Sequence, residues 1–202
     1  MKHTGPLGSS ILALVVVALG PVPAEAHLNS TGMGPVYDGL LHFVMSPDDL
    51  VPALALALLA GLRGVRYGQR VLFVLPAAWL VGAALGMVAP AATGTGAVTA
   101  IWFVSLGVLV AADVGLSLRV ATGLAALLGL DHGFMNGGGM GGPGAAIIAV
   151  LGVSGAVFVL VALAAALVVR VRAHWARLAV RVAGSWIAAI GLLMLGWAVR
   201  AR

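Results

Sequence analysis

Cysteine is absent from all 202 residues. That excludes disulfide frameworks, thiolate metal sites and thiol catalysis. Charge is scarce as well: 8% of residues are charged, and only six are acidic. A soluble domain needs more polar surface than this chain owns. Apolar residues fill the space instead, at 62% of the chain and a mean hydropathy of +1.14. The composition specifies an all-α, polytopic transmembrane helix bundle. The net charge of +5 lies in short clusters, so it reads as topology information and not as affinity for nucleic acid. Nothing marks a separate soluble domain or a long linker.

The N-terminus has the layout of a signal peptide over residues 1–26. Lys2 and His3 form a basic start, Ile11 to Leu19 is an apolar run too short to span, and Pro21-Val22-Pro23 breaks it. Ala24-Glu25-Ala26 then fits a small-x-small cleavage site. Cleavage there makes His27 the new N-terminus, outside the cytoplasm. An α-amino group beside an imidazole is a chelating pair for a borderline divalent metal. An uncleaved anchor helix is the alternative, and peptidase chemistry alone also explains the position of His27.

Residues 27–202 read as one transmembrane helical domain with about six spans. A span needs about 20 apolar residues to cross a core of about 30 Å. The expected spans are Pro47 to Leu62, Val71 to Val88, Ala97 to Ala112, Val114 to about Leu130, Ala145 to Val169 and about Leu178 to Val199. Ser46, Pro47, Asp48 and Asp49 have the residue types of a helix start. Arg63, Arg66 and Arg70 follow the first span, Arg119 falls near the join of the third and fourth, and Arg170, Arg172, Arg177 and Arg181 separate the last two. Those loops are expected on the cytoplasmic side of a bacterial inner membrane, with the mature N-terminus outside. Arg200 and Arg202 would then lie outside as well, which an odd span count would remedy.

With this orientation the rare polar residues converge. His27, Asp38, His42, Asp48 and Asp49 gather at the outer end of the first span, and Asp131 and His132 at the outer end of the fourth. Asp131 follows Arg119 by 12 residues, about 18 Å of helix, which leaves it within the membrane thickness. A carboxylate at that depth is costly unless it is paired, metal-bound or hydrated. Seven glycines between His132 and Gly144 argue against a stable helix there and for open backbone carbonyls lining a cavity. Met33, Met45, Met135 and Met140 offer thioether sulfur nearby.

Plainer readings exist for each feature. Helix capping explains Asp48 and Asp49, packing explains the methionines, and Asp113 is expected to pair with Arg119. The segments "GLLHFVM" and "GLDHGFM" share G-L-x-H-x-x-M, by chance or by convergence on similar ligands. Histidine and carboxylate without cysteine favour nickel, cobalt or zinc, or copper if methionine takes part.

Ala26 to Gly64 and Gly129 to Met135 resemble the HupE/UreJ family of membrane proteins. The resemblance implies a nickel or nickel/cobalt permease associated with hydrogenase and urease clusters. The family's first-span pattern is a histidine followed, about six residues on, by Gly-x-Asp-His. His42 matches the first histidine and Asp48 the aspartate, while Asp49 stands where the second histidine is expected. Asp131-His132 resembles a later His-Gly motif of one branch.

The expected function is therefore a permease that captures a divalent cation at His27, Asp38, His42, Asp48, Asp49, Asp131 and His132. A non-transporting accessory factor for metal delivery is the alternative. No tightly bound cofactor is expected. The expected partners are the lipid bilayer and the metal ion, with a homo-oligomer left open. Nothing brings a nucleophile, a base and oxyanion donors together, so an enzyme is not expected.

Overall fold

The computed structural model describes residues 31–89, 96–139, 143–170 and 173–200. The signal peptide and His27 lie outside them. Seven helices and no strand occur among the described residues. They are α1 Pro35–Met45, α2 Pro47–Arg63, α3 Val65–Val88, α4 Gly96–Ala111, α5 Leu118–Gly139, α6 Pro143–Arg170 and α7 His174–Arg200. α3, α6 and α7 are each long and apolar enough to cross a membrane, and α1 with α2 makes a fourth candidate as a pair bent by 75°. α4 is a shorter apolar helix.

α2 is the centre of the bundle. Ala53, Ala55, Leu56, Ala57, Leu59 and Ala60 point in all directions around it, and all are buried. A helix apolar on every side belongs in the interior. α2 accordingly touches all six other helices. Asp49, in its first turn, is thereby buried among the neighbouring helices.

Two expectations about helices are corrected. α1 was not anticipated, and it adds eleven helical residues before the Ser46 break. The expected Val114 to Leu130 span is instead α5, which starts at Leu118 and runs through the glycine-rich segment to Gly139. The cause is packing. A Cβ at Gly129, Gly133 or Gly137 would run into the backbone of α3 at Leu75, Trp79 and Ala83 respectively. Gly82 and Gly86 of α3 meet the Leu130 and Phe134 carbonyls of α5 in return. Small residues four apart let two helices approach this closely. The contact outweighs a propensity cost of about 1 kcal/mol per helical glycine. Carbonyls inside α5 are therefore not the open cation ligands expected of them, and Met140 lies outside the described residues.

The same device joins α4 to α7, where Gly107 meets Ala188 and Gly184 meets Ala111. It also joins α1 to α6, where Gly39 meets Ala149 and Gly152 meets Val36.

The basic junctions meet at one end of the bundle. Asp113, just after α4, is paired with Arg63 at the end of α2 and, at 2.8 Å, with Arg177 in the first turn of α7. Its expected partner Arg119 is replaced because the chain turns back after α4. Asp113 has φ 52°, and Arg181 Nε donates to the Ala111 carbonyl at 2.8 Å across the same junction. Tyr67 of α3 donates its hydroxyl to the Leu116 carbonyl at 3.0 Å. α2 passes into α3 through Gly64 alone, at φ 106°, a conformation costly for any residue with a Cβ.

Candidate functional site

Opposite the basic junctions, a bend brings the first polar residues together. In a straight helix, His42 and Asp49 would lie seven residues and about 10 Å apart along the axis. Pro47 prevents this, since the residue before proline is driven out of the helical region. Ser46 is extended, at φ −97° and ψ 94°, and the chain turns by 75°. Ser46 occupies the N-cap position as expected, but its hydroxyl makes no cap bond. Its carbonyl accepts the N–H groups of Asp49 and Leu50 at 3.1 and 3.0 Å. With the chain folded back, His42 Nε2 comes within 3.8 Å of Asp49 Oδ2.

α5 supplies the rest. His132 and Asn136 are one turn apart on it, on a face beside the glycine stripe, and both are buried. Because Gly129, Gly133 and Gly137 draw α5 onto α3, the His132 ring stacks on Trp79, with centroids 5.6 Å apart and planes at 27°. Trp79 is wholly buried and takes Phe43 of α1 edge-on at 5.9 Å. This aromatic column fixes the plane of the imidazole.

The polar groups form a chain. Asp49 can only accept as a carboxylate, so Asn136 turns its amide nitrogen to it, donating from Nδ2 to Oδ2 at 3.1 Å. The Asn136 oxygen then faces His42, which donates from Nε2 at 2.9 Å. The other carboxylate oxygen, Oδ1, lies 3.6 Å from His132 Nδ1. One carboxylate thus stands between two imidazoles, one per oxygen. The side chains of His42, Asp49 and His132 are only 16%, 10% and 6% exposed. His132 Nε2 is buried and has no hydrogen-bond partner among the described residues.

Two donors on one transition-metal ion, each about 2.0–2.2 Å from it, stand at most about 4 Å apart. Each Asp49–histidine pair satisfies this limit. Three together do not: among the described residues, no three histidine or acidic side chains are placed to close on one ion. The arrangement offers two half-sites that share Asp49.

The other expected residues are distributed as follows. Asp48 is exposed on the first turn of α2, as its neighbour Asp49 turns inward. Asp131 is half-buried and accepts a hydrogen bond from Trp102 Nε1 at 2.7 Å. Trp102 also lies 6.4 Å from the His132 ring, so Asp131 reaches the cluster through an indole. Asp38 holds the entry to α1, accepting from the Thr31 N–H at 2.5 Å and from its hydroxyl at 2.7 Å. Met33 and Met45 are exposed and Met135 is half-buried. Asn136, Trp79 and Trp102 were not anticipated. Asn136 follows His132 by four residues, a spacing that becomes visible once the glycine segment is read as helix.

No curated protein and no solved structure matches the chain. The family model described as HupE / UreJ protein matches residues 14–194. That match spans nearly the whole sequence, including both polar segments and every helix that meets at Asp49. The chain belongs to the HupE/UreJ family.

Proposed function

We propose that this protein is an inner-membrane permease for a divalent transition-metal cation, nickel or cobalt before copper or zinc, and not an enzyme. The observation that carries the reading is the buried Asp49 carboxylate flanked by His42 and His132, with one imidazole nitrogen within 4 Å of each oxygen. The family's link to nickel and cobalt handling for hydrogenase and urease supports the choice of metal. Nitrogen and oxygen donors without thiolate suit borderline ions.

Two half-sites on one carboxylate favour passage over storage. An ion taken by His42 and Asp49 Oδ2 displaces the Asn136 amide, and the His42 proton shifts from Nε2 to Nδ1, since metal binding requires a free imidazole lone pair. It moves on by exchanging His42 for His132 while Asp49 remains bound through its other oxygen. No step needs all ligands to be released at once. His27, Asp38 and Asp48 belong to the outer approach, with the mature N-terminus outside. The membrane potential supplies the drive, about 4.6 kcal/mol for a divalent ion at 100 mV.

Metal accumulation in cells tests the proposal. His42→Ala and Asp49→Asn are expected to abolish nickel or cobalt uptake. Unchanged uptake of nickel, cobalt, copper and zinc in both variants overturns it. Binding by the purified protein without flux into liposomes supports the accessory-factor reading instead.

A further inference from the structure

The basic end of the bundle carries two clefts that the metal pathway does not use. The first, of about 320 Å³, is lined by Arg66, Gln69, Arg70, Phe73 and Val74 of α3 and by Leu118 of α5. The second, of about 260 Å³, lies between α3 and α6. It is lined by small residues, Gly68, Ala162, Ala165 and Ala166, and by Arg170 among others. Gln69 lines both clefts. Helical spacing explains the division. Arg66, Arg70, Phe73 and Val74 share one stripe of α3, and Val65, Gly68, Gln69 and Leu72 the next.

Charge distinguishes this place from ordinary lipid-facing surface. Asp113 is the one acidic residue at this end among the described residues, and Arg63 and Arg177 occupy it. Arg66, Arg70 and Arg170 have no acidic partner among the described residues. Arg66 and Arg70, one turn apart, both line the first cleft, and each guanidinium offers a fork of donors that matches phosphate oxygens. Beside it, the α3–α6 groove runs from Val161 to Arg170, about 14 Å of helix, and is lined mainly by apolar residues.

We infer that these two clefts form one site for an anionic phospholipid. Its phosphodiester lies on Arg66, Arg70 and Gln69, and one acyl chain lies in the α3–α6 groove. In a bilayer the chain gains nothing from leaving water, since its surroundings are already apolar. The headgroup therefore sets the selectivity, and the groove sets the orientation. Basic pockets between membrane helices recognise anionic headgroups in this way. The site is independent of the proposed metal transport.

The test is retention of lipid by the full-length protein in detergent, read by native mass spectrometry. Three probes are added separately: phosphatidylglycerol, phosphatidylcholine with the same chains, and inorganic phosphate. Phosphatidylglycerol is expected to remain bound at concentrations where phosphatidylcholine is lost. R66Q and R70Q are each expected to weaken retention about fivefold, at roughly one headgroup contact's worth per arginine. A166F, at an exposed position, fills the groove without touching the arginines and is expected to weaken it at least threefold. Equal retention of the two lipids overturns the proposal, as does undiminished phosphatidylglycerol binding in R66Q/R70Q. Displacement of the lipid by equimolar inorganic phosphate overturns it too, because the site would then be one for a free anion. Undiminished binding in A166F overturns the acyl-chain part.

Discussion

Asp49 and Asp113 are each flanked by side chains from two other helices. Asp113 lies at the basic end between Arg63 of α2 and Arg177 of α7. Asp49 lies at the opposite end between His42 of α1 and His132 of α5. The partners differ in kind. A guanidinium is always charged and has no lone pair to give, so the two arginines neutralise Asp113 and leave nothing for an ion. A neutral imidazole keeps one nitrogen as a donor and offers the lone pair of the other to a metal. Asp113 is a clasp between helices. In the proposed function, Asp49 is the carboxylate kept available to an ion.

Four substitutions sharpen that contrast, taken from the largest effect on metal uptake to the smallest. Asp49→Asn removes the shared ligand and is expected to lower nickel uptake by more than about 100-fold, beyond the range for outer-shell partners. Gly133→Leu pushes a side chain into the Trp79 backbone, separates α5 from α3 and shifts His132. It is expected to lower uptake by about 10- to 100-fold and to destabilise the protein by about 1–3 kcal/mol, seen as a lower Tm in detergent. Asn136→Ala leaves both histidines and Asp49 in place but frees the carboxylate from its amide. Because the amide no longer competes for Oδ2, an expected rise of about fivefold in nickel affinity, measured by equilibrium dialysis, checks it. Asp113→Asn inverts the pattern: a loss of about 1–3 kcal/mol in stability, from charge-assisted hydrogen bonds at a partly exposed site, with uptake within about twofold of the parent. If Asp113→Asn abolishes uptake in folded protein while Asp49→Asn does not, the roles assigned to the two ends are reversed.

Much of this was legible in the sequence, and the misses have physical causes. Composition alone gave the all-helical membrane class, and the helix opening at Pro47 was read within one residue of α2. The arginine clusters indicated which junctions share an end. Pro47 marked the break before α2, but not that α1 precedes it as a helix, because eleven residues with a polar face carry no span-length signal. The glycine segment was misread because helix propensity is a local quantity, whereas Gly129, Gly133 and Gly137 are explained by the Leu75, Trp79 and Ala83 backbone of another helix. That misreading also hid Asn136. The shared G-L-x-H-x-x-M spacing proved informative in one respect. Gly39 and Gly129 each abut a neighbouring helix backbone, and in each case the histidine three residues later reaches Asp49. The partner of Asp113 was beyond sequence reasoning, because three basic clusters converge on the same end and only the packing of α2 and α7 selects among them.

The most direct measurement is nickel flux into proteoliposomes under an imposed inside-negative potential, comparing the parent, Asp49→Asn and Asp113→Asn. Flux in the parent and in Asp113→Asn, with none in Asp49→Asn, is the predicted result. Equal flux in Asp49→Asn and the parent, or no flux of nickel or cobalt in any of them, would contradict the role given to Asp49.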